Sequence, residues 1–304
     1  MASPAATLSF DTSFEPHTGE PVPVAPGLVR VTASNASPYT YTGTNSFLLG
    51  HERLALVDPG PDEQDHIHAL MRAISGRPVA AILLTHTHSD HSASAAKLAR
   101  KLGAPLWFGG PHRLSRPLRR FESNPFRRSC DWTLMPDRTL TDGERITAGD
   151  IELRVHTTPG HCANHLAFGF GDILLTGDHI MGWNSTLVAV PDGSMTDYLA
   201  SLDKVIALPY RRYVPAHGGP IADGPTYARA LRAHREMRNE QVLAAVAKRA
   251  QSITAIVATI YPTQPLMVRR AASLTIAAHV EYLQSKGLLV VSRGPFGTRI
   301  RLSS

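Results

Sequence analysis

The sequence predicts an α/β fold with sheets inside and helices outside, followed by a small domain of helices and one hairpin. Three observations support this prediction. Over the first 220 residues, short β-branched runs alternate with segments of helical periodicity. The run at 79–84 is apolar throughout, which suits a strand covered on both faces. After Pro225 the pattern changes to three helical segments and two short strands.

The chain is long and apolar enough to form a large core. It has 304 residues, of which 43% are hydrophobic and 18% charged, and this composition excludes intrinsic disorder. Two cysteines, Cys130 and Cys162, are too few for a disulfide scaffold. The N-terminus lacks the features of a secretory signal, and no run reaches the roughly 18–20 apolar residues of a membrane span. We therefore expect a cytoplasmic protein that does not enter the membrane.

The first layer of the fold is predicted from residues 22 to 108. Residues 1–21 contain no periodic run and are expected to form a loose N-terminal arm. Strands are predicted at 28–32, 46–49 and 54–57, and a helix at 63–75, where Ile67, Leu70 and Ile74 share one face. A second unit repeats this order, with a strand at 79–84, a helix at 92–102 and a strand at 104–108.

Residues 109–138 interrupt the alternation. The segment is rich in arginine and proline and has no clear period, so we expect a long insertion with a functional or mobile character. Regular elements then return, with strands at 151–156, 166–170, 173–175 and 213–214 and a helix at 196–207. These elements predict a first domain that spans residues 22–224.

Residues 225–304 are predicted to form a second, basic domain. Helices at 226–249, 252–260 and 265–285 precede strands at 288–291 and 298–302, which is the order of a winged helix. The domain contains 12 Lys or Arg and 3 Asp or Glu, whereas the remaining residues are slightly acidic. The net charge of +6 for the whole chain therefore comes from this small domain.

A basic domain of this kind suggests a polyanionic partner such as nucleic acid. Phe296 is the main candidate for stacking on a base. The candidate phosphate contacts are five arginines of the third helix and the hairpin: Arg269, Arg270, Arg293, Arg299 and Arg301. The alternative is that these arginines form an ordinary solvated surface.

The chemistry is concentrated in the segment His86-Thr-His88-Ser-Asp90-His91, which directly follows the strand at 79–84. His86 and His88 lie two residues apart, so in an extended loop their side chains point to the same side. Asp90 and His91 follow where the chain turns into a helix. One tetrahedral metal site does not readily use all four residues, whereas two adjacent sites do.

Three further candidate ligands follow later strands: His161, Asp178 and His217. Functional groups of α/β sheets gather outside the carboxyl ends of strands, and every candidate is in such a position. His86, His88 and His161 would form one site, and Asp90, His91 and His217 a second, with Asp178 between the two. The other histidines, such as His112, are isolated and are expected to be solvated or hydrogen-bonded residues.

This ligand set resembles that of the metallo-β-lactamase superfamily, and the resemblance covers roughly residues 22–222. Thr44-Asn-Ser46 and Val57-Asp-Pro-Gly60 resemble its early strands and its aspartate turn. Gly218-Gly-Pro-Ile221, the helix with His234-Arg-Glu236 and the winged-helix pattern resemble the lactamase-β-2-like group. The resemblance implies an αββα sandwich with the metals at one edge of the two sheets.

The resemblance also implies a mechanism. Two zinc ions, with iron or manganese as alternatives, would share a bridging water and make hydroxide available at neutral pH. Asp178 would hold both metals and Asp90 would orient the hydroxide, so both are predicted to be catalytic. Asp58 is a candidate partner for a ligand histidine, or alternatively a turn carboxylate that caps its own backbone.

Three residues beside the ligands are open to two interpretations. His165 and His179 are expected either to support the ligands or protonate a leaving group, or simply to pack. Cys162 stands where many relatives carry threonine, and it is either a soft extra contact or a small packed side chain.

The superfamily is weakly specific for substrate. Our first hypothesis is hydrolysis of a phosphodiester such as single-stranded RNA, because of the basic second domain. The alternative is hydrolysis of an acyl thioester, ester or lactone, with the arginine-rich insertion receiving an anionic small molecule. A metal-containing nucleic-acid-binding protein without turnover is a distant third. The sequence leaves the oligomeric state open.

Overall fold

The computed structural model describes residues 8–294 and 297–303, so Phe296 lies outside the described residues. The strands are β1 (Pro21–Ala25), β2 (Leu28–Thr32), β3 (Asn45–Leu49), β4 (Leu54–Val57), β5 (Val79–Leu83), β6 (Leu106–Phe108), β7 (Arg138–Thr139), β8 (Arg145–Ala148), β9 (Ile151–Thr157), β10 (Leu166–Phe170), β11 (Ile173–Gly177), β12 (Arg212–Pro215), β13 (Leu289–Gly294) and β14 (Gly297–Leu302). The helices are α1 (Gln64–Ile74), α2 (Ser89–Ser92), α3 (Ala95–Leu102), α4 (Met195–Ile206), α5 (Gly224–Ala247), α6 (Ile253–Ile260) and α7 (Leu266–Ser285).

Two sheets form the centre of the molecule. The first contains β1 to β7 in chain order, antiparallel up to β4 and parallel from β4 to β7. The second has the order β12-β11-β10-β9-β8 and is antiparallel except for the parallel pair β11 and β12. The crossover helices α1 and α4 precede the parallel strands β5 and β12, as parallel pairing requires.

The layers confirm the predicted αββα sandwich. Between the sheets, an apolar core includes Phe47, Leu83, Val155, Phe168 and Leu175. The outer face of the first sheet is covered by α1 and α3, and the outer face of the second by α4 and the first half of α5. Each large side chain buried in these layers contributes about 1.5–3 kcal/mol to folding.

Most predicted elements are present with ends shifted by a few residues, but the helix predicted at 92–102 differs. The structure divides it into α2 and α3 and starts it three residues earlier, at Ser89. At the division, the Ser94 amide and hydroxyl both donate to the Gly60 carbonyl, and the hydroxyl also reaches the Pro59 carbonyl. These bonds replace the intrahelical bond that Ser94 would make. The two-residue strand β7 was not predicted at all.

The C-terminal elements follow the predicted order of three helices and a hairpin. Helix α5 begins at Gly224, capped by the Asp223 carboxylate, which accepts a hydrogen bond from the Thr226 amide at 3.1 Å. Its first half packs on α4, whereas its second half joins a separate core with α6, α7 and the hairpin. Helix α5 thus connects the two cores, and the division at residue 224 remains a prediction.

The arginine-rich insertion, 109–138, is fixed to the C-terminal helices. The Arg116 guanidinium donates to both Glu122 and Glu281, and Arg119 also donates to Glu281 on α7. Hydrogen bonds from Arg116 and the Arg119 amide lower the pKa of Glu122 to about 2, against the opposing effect of burial. Two of the insertion's arginines are therefore engaged in an ion-pair network between the two parts of the chain.

Among the helices that the structure describes, none is both long enough and apolar enough to cross a membrane.

The network predicts that Glu281→Gln loosens the insertion. Its two arginine partners would lose about 1 kcal/mol of charge-assisted hydrogen bonding. We expect trypsin to cleave at the arginines between residues 113 and 128 several-fold faster in this variant, measured by limited proteolysis and mass spectrometry. Glu240→Gln, on the exposed side of α5, is the matched control and should be cleaved like the unmodified protein. Equal cleavage of all three proteins would contradict the role of the network.

Candidate metal centre

The histidine motif is held in place by the aspartate turn that follows β4. The Asp58 carboxylate accepts hydrogen bonds from the Thr85 amide at 2.7 Å and the Thr85 hydroxyl at 2.6 Å. Its second oxygen also lies 3.1 Å from His91 Nδ1. Asp58 therefore links the end of β4 to the start and the end of the motif. Helix α2 starts at Ser89, which places Asp90 and His91 in its first turn.

Three histidines bring ring nitrogens to one point. His88 Nδ1 lies 3.0 Å from His86 Nε2 and 2.9 Å from His161 Nε2. Nitrogens that bind one zinc ion at about 2.0–2.1 Å in a tetrahedral arrangement lie about 3.3 Å apart. The geometry of this trio is close to that of a three-histidine site, as the sequence predicted.

A second trio lies beside the first. The Asp90 carboxylate is 3.3 Å from both His91 Nε2 and His217 Nε2. Asp178 lies between the two trios, because Oδ1 is 3.3 Å from His217 Nε2 while Oδ2 is 3.6 Å from His161 Nε2. All seven predicted ligands are thus brought together, and Asp178 is placed to touch two ions at once.

A glycine allows Asp178 to reach this position. Gly177, the last residue of β11, has a positive φ of 51°. A Cβ atom there would lie 2.7 Å from His165 Nε2 and 2.8 Å from the Thr85 side chain. The backbone can pass this close to the motif only without a side chain.

The remaining ring nitrogen of each histidine is bonded to the protein. His161 Nδ1 donates to the Leu187 carbonyl at 2.7 Å and His217 Nδ1 to the Gly43 carbonyl at 3.2 Å. Because the Thr85 hydroxyl donates to Asp58, it accepts from His86 Nδ1 at 3.1 Å. Each such bond fixes the tautomer that leaves a lone pair directed at the centre.

His88 is oriented by a hydrogen-bonded chain that the sequence did not reveal. His88 Nε2 donates to one oxygen of Asp192 at 2.8 Å, and His112 Nε2 donates to the other at 2.9 Å. His112 Nδ1 contacts the Thr87 hydroxyl at 2.9 Å, which in turn accepts from the Asn164 amide at 2.8 Å. Asp192 lies in an irregular loop about a hundred residues from the motif, so no spacing or period pointed to it.

Burial and neighbouring charges divide the histidines into two groups. Burial and the adjacent His88 lower the pKa of His161 to about 4, which keeps the ring neutral and able to bind a metal. Burial acts in the same direction on His217, but the Asp178 and Asp90 carboxylates outweigh it and raise the pKa to about 9. The second trio, together with Asp178, is therefore a cation-attracting site with two carboxylates, whereas burial lowers the pKa of His86 and His161 in the first.

The predicted supporting residues have different surroundings. His165 Nε2 accepts from the Asp178 amide at 3.1 Å, and its Nδ1 contacts the Thr158 hydroxyl at 2.8 Å, so His165 holds a ligand's backbone. His179 is buried against the Tyr198 ring with centroids 5.0 Å apart, and burial lowers its pKa to about 3. This surrounding favours packing, because so low a pKa leaves His179 uncharged at neutral pH, without the acidic proton of an imidazolium.

Cys162 is a packed side chain. Its thiol is buried and donates to the Asn164 side chain at 3.3 Å, and burial raises its pKa well above the usual value. Cys130, at the end of the insertion, bonds instead to the Phe126 carbonyl at 3.1 Å. Neither thiol has the lowered pKa of a reactive cysteine.

The donor set fits two divalent cations. Within the described residues, His91 Nε2, His217 Nε2 and Asp178 Oδ1 are buried and have no hydrogen-bond partner in the protein. Such atoms are costly unless a ligand satisfies them. Imidazole and carboxylate donors suit zinc, iron and manganese, so the residues are compatible with each of these metals.

A cavity of about 520 Å³ opens in front of the ligands. His88, Asp90, His161 and Asp178 form its polar floor, and Arg128 from the insertion adds a positive charge. The remaining walls are largely apolar and include Tyr39, Phe126, Met181, Leu187 and Ala189. We call this space the metal cavity.

The five arginines predicted to contact nucleic acid lie elsewhere, and none is among the described residues that line the metal cavity. Arg269 is bonded to the Tyr261 carbonyl at 2.9 Å and to the Pro262 carbonyl at 2.5 Å. The other four are exposed: Arg270, Arg293, Arg299 and Arg301.

Comparison with known proteins agrees with this geometry. A family model described as the metallo-beta-lactamase superfamily matches residues 39–217, more than half of the chain. The chain belongs to this superfamily. It is a hydrolase of the superfamily, as the sequence predicted, and the match includes all seven candidate ligands.

Relatives in the superfamily cover most of the chain. A beta-lactamase-like protein 2 homolog of Drosophila melanogaster is 28% identical over 279 residues, covering 88% of this chain and 90% of that protein. An atrochrysone carboxyl ACP thioesterase of Aspergillus chevalieri is 29% identical, covering 73% of this chain and 67% of the relative. The chain spans 64% of the length of another relative, the lactamase-like protein aptB of Emericella nidulans.

Solved structures show that the likeness includes the C-terminal part. A metallo-beta-lactamase family protein of Thermus thermophilus matches with a TM-score of 0.75 and 27% identity, over 92% of this chain and all of that chain. A beta-lactamase domain protein of Burkholderia ambifaria gives a TM-score of 0.79 over 96% of both chains, at 24% identity. The predicted resemblance is therefore confirmed.

The position of Asp192 predicts that Asp192→Asn weakens metal binding about 10- to 100-fold. A carboxamide has one acceptor oxygen and cannot accept from both His88 and His112, so one ring loses its fixed tautomer. The measurement is metal affinity in competition with a chromophoric chelator. Asp62→Asn, which changes an exposed carboxylate paired with Lys97, should leave the affinity unchanged. Unchanged affinity in Asp192→Asn would show that this carboxylate does not position His88.

Proposed function

We propose that this hydrolase cleaves acyl thioesters with the help of two divalent metal ions, zinc in the first place. The observation that carries the proposal is the lining of the metal cavity. Its floor holds the predicted ligands, but most of its walls are apolar side chains, among them Phe126, Met181 and Leu187. An acyl chain matches such walls, whereas a nucleic-acid backbone requires a groove of basic residues.

Each residue of the floor has a separate task in this proposal. His86, His88 and His161 would hold one ion and Asp90, His91 and His217 the other, with Asp178 shared. Ions at these positions would activate a water molecule and polarise the thioester carbonyl. The Asp90 side chain is the more exposed of the two carboxylates and faces the cavity, so it is placed to orient the attacking water by accepting its hydrogen bond.

In this proposal, the catalytic protons are transferred by water and by the residues that would bind the metals, without a separate general acid. Thiolates are good leaving groups because thiols, with a pKa of about 8.5 for cysteine, are far more acidic than alcohols, so a thioester needs no strong general acid. This agrees with the buried, neutral state of His179. The relative described above as an ACP thioesterase supports the same substrate class.

The phosphodiester hypothesis is the second candidate. It is favoured by the exposed arginines of the hairpin, since Arg299 and Arg301 lie two residues apart on one face of β14, while Arg293, paired with Thr298, lies on the other face. Neither Arg299 nor Arg301 forms a salt bridge with a carboxylate in residues 8–294 and 297–303. A basic strand pair of this kind suits a phosphate backbone. The arginines and the metal cavity would then serve one RNA substrate.

A substrate panel tests the proposal. Metal-loaded protein should hydrolyse acyl thioesters faster than lactones, simple esters, phosphodiesters and single-stranded RNA, measured as kcat/KM. Asp178→Ala should lose at least a thousand-fold in kcat/KM and about half of the bound metal, because this carboxylate contacts both trios. Asp172→Ala removes an exposed carboxylate at the start of β11 and should retain full activity. Turnover of RNA without turnover of any thioester would overturn the proposal.

The second candidate has its own test. If RNA is a substrate or a ligand, Arg299→Ala with Arg301→Ala should weaken binding of single-stranded RNA at low salt, and the slope of log K against log salt should fall by about 1.4. The control pair Arg145→Ala and Arg154→Ala removes the same charge from β8 and β9, two paired strands of the sandwich. If both double variants bind RNA with equal affinity, the hairpin arginines are not a specific RNA-binding site.

A further inference from the structure

We propose that a second cavity, next to the metal cavity, binds a phosphate group of the substrate. The space measures about 330 Å³ and lies between the loop after β11 and the helices α5 and α7. It shares Tyr39, Met181 and Leu187 with the metal cavity, so the two spaces are neighbours along one wall. We call it the second chamber.

The strongest observation is a buried arginine without a carboxylate. Arg235 on α5 lines the second chamber with only 2% of its surface exposed. It donates to the Thr186 carbonyl and its guanidinium lies 5.2 Å from the Tyr198 ring centroid. Its Nε has no partner, and Arg235 makes no salt bridge within the described residues. An uncompensated buried charge is strongly unfavourable, so this side chain is prepared for an anion.

A second arginine lies one turn further along the same helix. Arg238 lines the chamber, lies 4.7 Å from the Tyr261 ring centroid and bonds to the neutral Gln241 side chain. Burial and the nearby Arg235 lower the pKa of both Arg238 and His234, in the case of His234 to about 4. No Asp or Glu is among the described residues lining the chamber. The described lining therefore carries positive charge without a compensating carboxylate.

Two further residues of the chamber lining carry unpartnered ring nitrogens. Trp183 Nε1 and His234 Nδ1 are buried and have no partner in the described part of the chain. The Trp183 ring is held in place by stacking on Tyr41 with centroids 4.8 Å apart. Guanidinium, indole and imidazole groups from α5 and the loop after β11 offer several donors, which suit the multiple acceptor oxygens of a phosphate group better than a carboxylate with two oxygens.

The inference rests on the proposed function, which it makes more specific. If the acyl group occupies the metal cavity, the thiol half of the thioester extends along the shared wall into the second chamber. A thiol that carries a phosphate, of the coenzyme A or carrier-bound type, would place that phosphate beside Arg235 and Arg238. The alternative sources of the same chemistry are free phosphate and a neighbouring phosphodiester of RNA.

Binding to metal-loaded protein tests the chamber directly. Inorganic phosphate, coenzyme A and a short RNA oligonucleotide are titrated calorimetrically into the unmodified protein, Arg238→Gln and Arg232→Gln. Arg232 is on the same helix but pairs with Asp203 and Glu236 outside the chamber. We expect Arg238→Gln to bind coenzyme A and phosphate at least about tenfold more weakly, and Arg232→Gln to bind like the unmodified protein. Equal affinities in the unmodified protein and Arg238→Gln would show that phosphate binds elsewhere and would overturn the proposal. A loss of affinity confined to the RNA oligonucleotide would also overturn it.

Turnover separates this proposal from the one on which it rests. The same acyl group is offered on coenzyme A and on N-acetylcysteamine, which lacks phosphate. The ratio of the two kcat/KM values should fall at least about tenfold in Arg238→Gln and stay constant in Arg232→Gln. Equal hydrolysis of both thioesters by the unmodified protein overturns the chamber and leaves the thioesterase proposal intact. Phosphate binding that depends on Arg238, without turnover of any thioester, would support the second chamber and overturn the thioesterase proposal.

Should Arg238→Gln fail to fold, as judged by circular dichroism, Trp183→Phe replaces it. This change removes one N–H donor and retains the stacking on Tyr41. It should weaken coenzyme A binding about three- to tenfold. Unchanged binding in this variant would count against the chamber.

Discussion

The rest of the structure depends on fixing five imidazole rings so that each directs one lone pair at one of two adjacent candidate metal positions. A histidine that is free to rotate or to change tautomer binds a metal poorly. Here the acceptors that hold the rings come from distant parts of the chain: the turn after β4, the loop before β3 and two points in the loop after β11. The two sheets must therefore be held firmly against each other at the edge where these loops meet. The apolar core between the sheets fixes their relative position.

The junction of the two sheets shows how this is achieved. The Asn45 side chain in β3 donates to the Pro215 carbonyl at 3.2 Å and to the Gly218 carbonyl at 3.0 Å, both from the segment around β12. His217 lies between these two carbonyls in sequence, so its position is set by a residue of the opposite sheet.

Sequence reasoning identified the candidate ligands that the structure brings together, because their information is local. His86, His88, Asp90 and His91 are adjacent in the chain, and His161, Asp178 and His217 each follow a recognisable apolar run. The strands were predicted for the same reason. Asp192 was missed because its role depends on a contact across about a hundred residues, within a segment that has no period. The break between α2 and α3 was missed because Ser94 is diverted by a carbonyl of another turn. The ion pairs of Arg116 and Arg119 could not be predicted either, because their partner Glu281 is remote in sequence.

The contacts of the insertion restrict how this protein can evolve. Near its start, His112 bonds to Asp192, the carboxylate that holds His88. Further along, the backbone of Cys130 pairs with that of His88, and Arg116 between them bonds to Glu281 on α7. The catalytic sandwich and the C-terminal helices are thus not interchangeable modules. A C-terminal part taken from a relative would need to bring a compatible version of 109–138 with it. The three segments are expected to be inherited and exchanged as one unit, although they are widely separated along the gene.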